Sequence, residues 1–267
     1  MKIAMVQVAS PDAEPVDARR ERVGAMVAKA QGADLITLPE LWGPGYFAFG
    51  NYARDAESLD GATVAAGCSW ARALRAWLHL GSIIEGAANG RVHNTAVLID
   101  PHGAVVHLYR KVHVFGIGSL EARLLSAGDS VSVVAAPLGR TGATTCYDLR
   151  FPELWRTLVD AGAEAVIVPA AWPAGRLDHW CLLTSARAVE QQITVVATNA
   201  TGEHGGVTVA GHSRVVGPWG EVLAEAGVEE GITWAEVDPA VTGEVRARFP
   251  VLDDRRTGSI RIDSIQP

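Results

Sequence analysis

The stretch TTCYDLRFPEL, residues 144–154, closes a β-rich run, turns, and opens a helix. GATTCYD (142–148) reads as a strand. Pro152 and Glu153 then mark a helical first turn, where proline loses no hydrogen bond and a carboxylate meets the positive end of the helix dipole. The helix runs over 152–161 and leads into AVIVPAA (165–171), an apolar, β-branched run with the length of a buried strand. Strand, helix, strand is the repeating unit of an α/β fold.

The same alternation extends outward. KIAMVQVA (2–9) reads as a buried strand, and residues 16–31 as a helix with Val16, Val23, Val27 and Ala30 on one side, ending at Gly32. LITLPE (35–40) is a strand that stops at Pro39, and 63–77 has helical spacing. LGSIIE (80–85), NTAVLID (94–100) and AVVHLYRK (104–111) read as strands, the last two joined by the turn DPHG. VSVVAAP (131–137) is another strand. Residues 176–192 form a helix with Leu177, Trp180, Leu183 and Val189 on or near one face. TVVATN (194–199), a hairpin of HSRVV and EVLAEA about GPWG, and GITWAEVD (231–238) complete the strands. Helices among strands, with hairpins interspersed, predict an α/β sandwich with mixed sheets. No repeat, low-complexity tract or linker divides the chain, so a single domain over 1–267 is expected.

Composition narrows the function classes. With 267 residues, 48% apolar and 20% charged, the chain has the make-up of a globular protein with a large core. A net charge of −7 argues against nucleic acid as a partner. Cys68, Cys146 and Cys181 form no CxxC or CxxH, so no structural zinc is expected, and three cysteines are too few for a disulfide framework. The N-terminus MKIAMVQVAS lacks the features of a signal peptide, and no run of about 18 apolar residues suggests a membrane span. A cytoplasmic location is expected.

Cys146 admits two readings. A lone cysteine is commonly a small buried hydrophobe, and Cys68 and Cys181, in apolar helical stretches, keep that reading. Cys146 instead lies at a strand end beside a helix start, where a thiol can be activated. A nucleophile needs a base and an oxyanion stabiliser. None of the eight histidines sits in a recognisable cysteine-protease signature, and none pairs closely with another His or Cys as metal ligands do. TLPELW (37–42) puts Glu40 just past a strand end, and YRKVHVF (109–115) puts Lys111 at another. Taken singly, each is an ordinary solvated charge.

Glu, Lys and Cys at three strand ends, in that order, resemble the nitrilase or carbon–nitrogen hydrolase superfamily. KIAMVQV, LPELW, GSIIE, NTAVLID, YRKVHVF, CYDLRFPE, SARAVEQQ, ATNATG, GHSRVVGPWGEVLAEAG and FPVLDDRR carry the resemblance over nearly the whole chain. HWCLLTSARAVEQQ and GHSRVVGPWGEVL bring it nearest to the ω-amidase branch. The resemblance implies an α-β-β-α sandwich that pairs into homodimers and uses no metal and no organic cofactor. By motif it makes Glu40 the general base, Lys111 the cation at the oxyanion and Cys146 the nucleophile. The Tyr147 N–H joins Lys111 at the oxyanion, and Glu121 orients Lys111 and the substrate. The loop before Glu121 is shorter than the family's usual one. Trp42, Tyr46, Phe49, Trp172 and Asn199 are the candidate substrate contacts, with core packing an equal alternative for each aromatic. Arg150 and Glu153 read as braces of the cysteine turn.

The implied activity is thiol-dependent hydrolysis of a small ω-amide such as 2-oxoglutaramate. Alternatives inside the superfamily are an aliphatic amidase, an N-carbamoyl hydrolase, a nitrilase or a biosynthetic acyl-transfer enzyme. A non-catalytic binding protein on the same fold is the alternative outside it. The C-terminal FPVLDDRRTGSIRIDSIQP is expected to be ordered and to pack across a dimer interface.

Overall fold

Strand β1 (Lys2–Gln7) is apolar at successive rather than alternate positions. Such a run suits only a strand covered on both faces. Ile3 and Met5 face one apolar layer, and Ala4 and Val6 face another. The structure, a computed structural model, describes residues 1–86 and 91–256.

In chain order there follow α1 (Val16–Ala28), β2 (Leu35–Thr37), α2 (Tyr52–Asp55), α3 (Ala62–Leu74), β3 (Trp77–Gly86), β4 (Val92–Ile99) and β5 (Val105–Arg110). Next come α4 (Glu121–Leu124), β6 (Val134–Ala136), β7 (Gly139–Ala143), a 3₁₀ turn over Cys146–Arg150, α5 (Pro152–Asp160), β8 (Ala165–Ala170), α6 (Leu177–Gln191) and β9 (Thr194–Asn199). The remainder is β10 (Thr201–His204), β11 (Val207–Ala210), β12 (Arg214–Val216), β13 (Val222–Glu225), β14 (Gly231–Glu236) and α7 (Val241–Arg248).

Two six-stranded sheets form, ordered β14-β1-β2-β3-β4-β5 and β13-β12-β9-β8-β7-β6. In the first, β1, β2 and β3 are parallel, and β4 and β14 run against them. In the second, β7, β8 and β9 are parallel, with antiparallel strands outside them. The sheets pack face to face through Leu35 and Leu98 on one side and Ala165, Ile167, Val196 and Val215 on the other. Helices α1 and α3 cover the first sheet through Val23, Val27, Val64 and Ala71. Helices α5 and α6 cover the second through Leu154, Trp155, Leu158, Trp180 and Ala188. This is the α/β sandwich with mixed sheets that the sequence predicts, in the α-β-β-α layering that the family resemblance implies.

Some local readings change. The strand expected over 142–148 ends at Ala143, and Cys146 opens the 3₁₀ turn instead. Helix α3 stops at Leu74 because Arg75 adopts a left-handed conformation, which frees Trp77 to begin β3. Val189 lies on the outer side of α6, half exposed, whereas Trp180, Thr184, Arg187, Ala188 and Gln191 face inward. Residues 257–267 of the C-terminal stretch, read from sequence as interface-forming, lie outside the described residues.

Candidate active site

The residues just past the ends of β2, β5 and β7 meet at one end of the sandwich. Glu40 is positioned by a sharp reversal: Leu41 has φ +44, and its N–H donates to Ser82 Oγ at 3.1 Å. Beneath it, β3 bulges between His79 and Ser82, and Gly81 adopts φ +74. A Cβ at Gly81 would overlap the Pro39 carbonyl oxygen, so only glycine lets β3 pass this close under the Glu40 turn.

Lys111 is held by the β4–β5 ladder, its N–H donating to Asn94 O at 2.9 Å. Its ammonium donates to Glu40 Oε1 at 2.8 Å and to Glu121 Oε1 and Oε2 at 3.0 and 3.1 Å. All three charged ends are fully buried. The Asn94 amide donates to Glu40 Oε1 at 2.8 Å and reaches Glu121 Oε1 at 3.3 Å. Tyr46 Oη and the Phe115 N–H donate to Glu121 Oε2 at 2.9 and 2.8 Å. The Ala171 N–H donates to Glu40 Oε2 at 3.0 Å.

Electrostatics follow from this burial. Loss of water raises the Glu40 pKa above the ordinary carboxylate value, Lys111 opposes the rise, and Glu121 adds to it. Burial works against the Lys111 charge, but Glu121 and Glu40 outweigh it and hold the ammonium pKa well above the usual lysine value. Burial and then the Glu40 charge push the Cys146 thiol well above its normal range. The resting site therefore holds a neutral thiol within hydrogen-bonding reach of Glu40, beside a permanent cation.

Cys146 has φ +48, a left-handed conformation that costs a non-glycine residue about 1–2 kcal/mol. Asp148 holds the turn. Its Oδ2 accepts from Thr145 N–H and Tyr109 Oη at 2.9 and 2.7 Å, and its Oδ1 accepts from the His113 N–H at 2.9 Å. The Trp155 indole N–H donates to Asp148 O at 3.1 Å, tying the turn to α5.

Above Cys146 lies a cavity of about 270 Å³. Tyr46, Phe47, Phe115, Tyr147 and Trp172 make its walls aromatic, and Ile117, Ala171 and Pro173 complete the apolar lining. Among the described residues its charged lining residues are Arg150 and Arg176. The Arg150 guanidinium lies 4.7 Å over the Trp172 ring and contacts His179 Nδ1 at 3.2 Å. The Arg176 guanidinium lies 5.5 Å over Phe115. Among the described residues neither forms an ion pair with a carboxylate. Burial, and next the charge of Arg176, lower the Arg150 pKa from its usual value.

The carbon–nitrogen hydrolase family model matches residues 2–247. The chain belongs to the carbon–nitrogen hydrolase family. It is 39% identical to the 2-oxoglutaramate amidase of Paenarthrobacter nicotinovorans, over 96% of this chain and 90% of that one. It superposes with a TM-score of 0.88 on XC1258 from Xanthomonas campestris, a CN-hydrolase superfamily protein with an arsenic adduct in the active site, at 30% identity over 98% and 99% of the two chains. The amidase from Nesterenkonia sp. AN1, caught with acrylamide added at its active-site cysteine, gives 0.81 at 31% identity over 94% and 99%. The chain is an amidase-type hydrolase of carbon–nitrogen bonds other than peptide bonds.

This hydrolase brings Glu40, Lys111, Glu121 and Cys146 together, and sets Tyr147, Tyr46 and Trp172 on the cavity wall. Three expected substrate contacts stand elsewhere. Trp42 turns into the core under α1 and α3, its indole N–H donating to Leu80 O at 2.8 Å, because the reversal at Leu41 points it away from the cavity. Asn199 is fully buried and braces the chain behind Trp172, accepting from its N–H at 2.7 Å. Phe49 packs on Tyr46 and Tyr52 outside the lining, and Phe47 takes the wall position. Arg150, read as a brace, faces the cavity, while Glu153 is exposed at the start of α5. Sequence reasoning missed Asn94, Phe115 and Arg176. The first two lay inside motifs already singled out, NTAVLID and YRKVHVF.

Proposed function

We propose that this hydrolase cleaves the terminal amide of a small acid that also carries a carboxylate, with 2-oxoglutaramate the first candidate. The fully buried Glu40–Lys111–Glu121 cluster beneath Cys146 carries the reading. Glu40 accepts the thiol proton as Cys146 sulfur bonds to the amide carbon. Lys111 and the Tyr147 N–H stabilise the oxyanion that forms, and losing one such donor typically costs about 3–4 kcal/mol. The intermediate collapses as Glu40 returns the proton to nitrogen, the C–N bond breaks, and ammonia leaves a thioester. Glu40 next removes a proton from water, hydroxide adds to the carbonyl, the C–S bond breaks, and the thiolate regains its proton. Glu121 orients the ammonium throughout.

Arg150 and Arg176 support the charged substrate. Two guanidinium groups that lack carboxylate partners among the described residues, in a largely apolar cavity, suit an anionic end. The name of the Paenarthrobacter relative fits the same substrate class.

In this reading residues 1–267 form one domain that works as a cytoplasmic homodimer. Among the described residues no helix is long and apolar enough to cross a membrane. Leu182 and Val189 repeat at heptad spacing on the outer face of α6, with exposed Trp219 and Phe249 meeting edge to face nearby at 5.5 Å, and this apolar strip supports the pairing. A monomeric mass in sedimentation at micromolar concentration would remove the dimer from the proposal.

Ammonia release tests the activity on a panel of 2-oxoglutaramate, 2-oxosuccinamate, simple aliphatic amides, an N-carbamoyl amino acid and an aliphatic nitrile. Turnover of the oxo-acid amides, abolished in Cys146→Ala, is expected. Turnover of another class keeps the thiol route and rejects the substrate. Silence with an unreactive thiol rejects both.

A further inference from the structure

We infer that Asn94 is a positioning residue of the active site, whose amide N–H₂ holds Glu40 and Glu121 together around Lys111 and keeps Glu40 ionised to accept the thiol proton. The inference rests on the role proposed for Glu40. Asn94 sits near the start of β4, and the antiparallel ladder that pairs Thr95 with Arg110 sets it directly beside Lys111. Directly opposed residues in such a ladder project from the same face. Lys111 Nζ and Asn94 Nδ2 therefore approach the same two oxygens from adjacent places. Glu40 Oε1 receives both at 2.8 Å, and Glu121 Oε1 receives them at 3.0 and 3.3 Å. Two donors and two acceptors close a ring.

The ring divides the labour of the Glu40 carboxylate. Among the described residues Oε1 is committed to Lys111 and Asn94, while Oε2 accepts from the Ala171 N–H. Oε2 is thus the oxygen left free for the thiol proton. The amide orientation is set by charge, since an oxygen turned toward two carboxylates would be repelled. That orientation leaves Asn94 Oδ1 buried and, among the described residues, without a partner. Leaving a buried acceptor unsatisfied works against folding. A residue serving only to fill β4 would not need that polar group.

The titratable groups facing the ring are Glu40, Glu121, Lys111, Tyr46, Tyr52 and Cys146. Removing the Asn94 donor leaves one ammonium to screen two carboxylates, so Glu40 holds its proton more tightly. Turnover needs the carboxylate, so the acidic limb of activity moves to higher pH.

The test compares wild type, Asn94→Ala, Asn94→Asp and Asn94→Ser for kcat, KM, the pH profile of kcat/KM and thermal melting. The substrate is whichever panel amide the wild type turns over. In Asn94→Ala, kcat should fall about 10- to 100-fold, the scale of a small misplacement of reacting groups. KM should stay within about twofold and the acidic limb should rise by about one pH unit. Asn94→Ser, which keeps one donor, should recover part of both changes and carries the test if the alanine variant does not fold. Asn94→Asp adds a third carboxylate and should be the least active. An unmoved acidic limb in the Ala and Ser variants, or a change confined to KM, overturns the inference. Activity surviving in Cys146→Ala would instead overturn the thiol reading on which it stands.

Discussion

Cys146 and Leu41 both hold left-handed backbone angles, and both neighbour the groups on which the proposed chemistry depends. Strain of this kind persists only where the surroundings enforce it. At Cys146 the enforcement comes from Asp148, whose carboxylate ties the turn to β5 and the loop beyond it. At this scale the sequence was informative about identity and poor about direction. Glu40, Lys111 and Cys146 were legible because each followed a readable strand. Trp42 stayed open between cavity and core because nothing in LPELW announces that the chain reverses at Leu41. Arg176 was missed because its role depends on the ring beneath it, Phe115, sixty-one positions away in sequence. Arg176→Leu should raise KM for the oxo-acid amides about tenfold and leave a neutral aliphatic amide within twofold. Equal changes for both substrates, in steady-state ammonia release, would reject a charge-specific role.

At the scale of the element, the strands with continuous apolar runs were readable, since both faces of β1, β8 and β9 are buried. The elements that went unread lack such patterning. Helix α7 has little apolar rhythm and is fastened by Arg246, whose guanidinium donates to the Gln192, Ala163 and Gln191 carbonyls. The β10–β11 hairpin did carry a signal. Gly205 and Gly206 both have positive φ, the geometry that a two-residue turn of this kind requires. The bulge in β3 makes the most exacting demand on a single residue. Gly81→Ala should destabilise the protein by more than about 2 kcal/mol, combining a disfavoured φ with overlap against Pro39. Urea unfolding would measure it, and a midpoint within error of wild type would show that the turn at Glu40 yields easily.

Across the whole molecule, the pairing of two sheets buries His79 completely. Its Nδ1 accepts from the Gly81 N–H at 3.3 Å, and among the described residues its Nε2 has no partner. Burial, with a smaller push from His107, lowers its pKa from 6.5 to about 3. The folded protein therefore keeps His79 neutral where the unfolded chain has already bound a proton. Stability should fall as pH drops below about 6.5 and go on falling toward about 3, at roughly 1.4 kcal/mol per pH unit from this group. His79→Asn retains an acceptor for Gly81 and removes the titration. It should lose less stability than wild type between pH 7 and pH 5 in parallel urea unfolding experiments, and equal losses would assign the acid sensitivity to other groups.

The buried cluster holds two carboxylates and one ammonium, a fixed charge of minus one when all are ionised. An amide enters beside it as a neutral group. The acid made from that amide is an anion at the same spot, and nothing in the cluster has changed to welcome it. In the proposed reading Arg150 and Arg176 hold only the far end of such a molecule. The product's new charge is thus generated where it is repelled, which favours departure over retention and weakens binding of the acid for reversal. The site is built to consume amides and to let acids go.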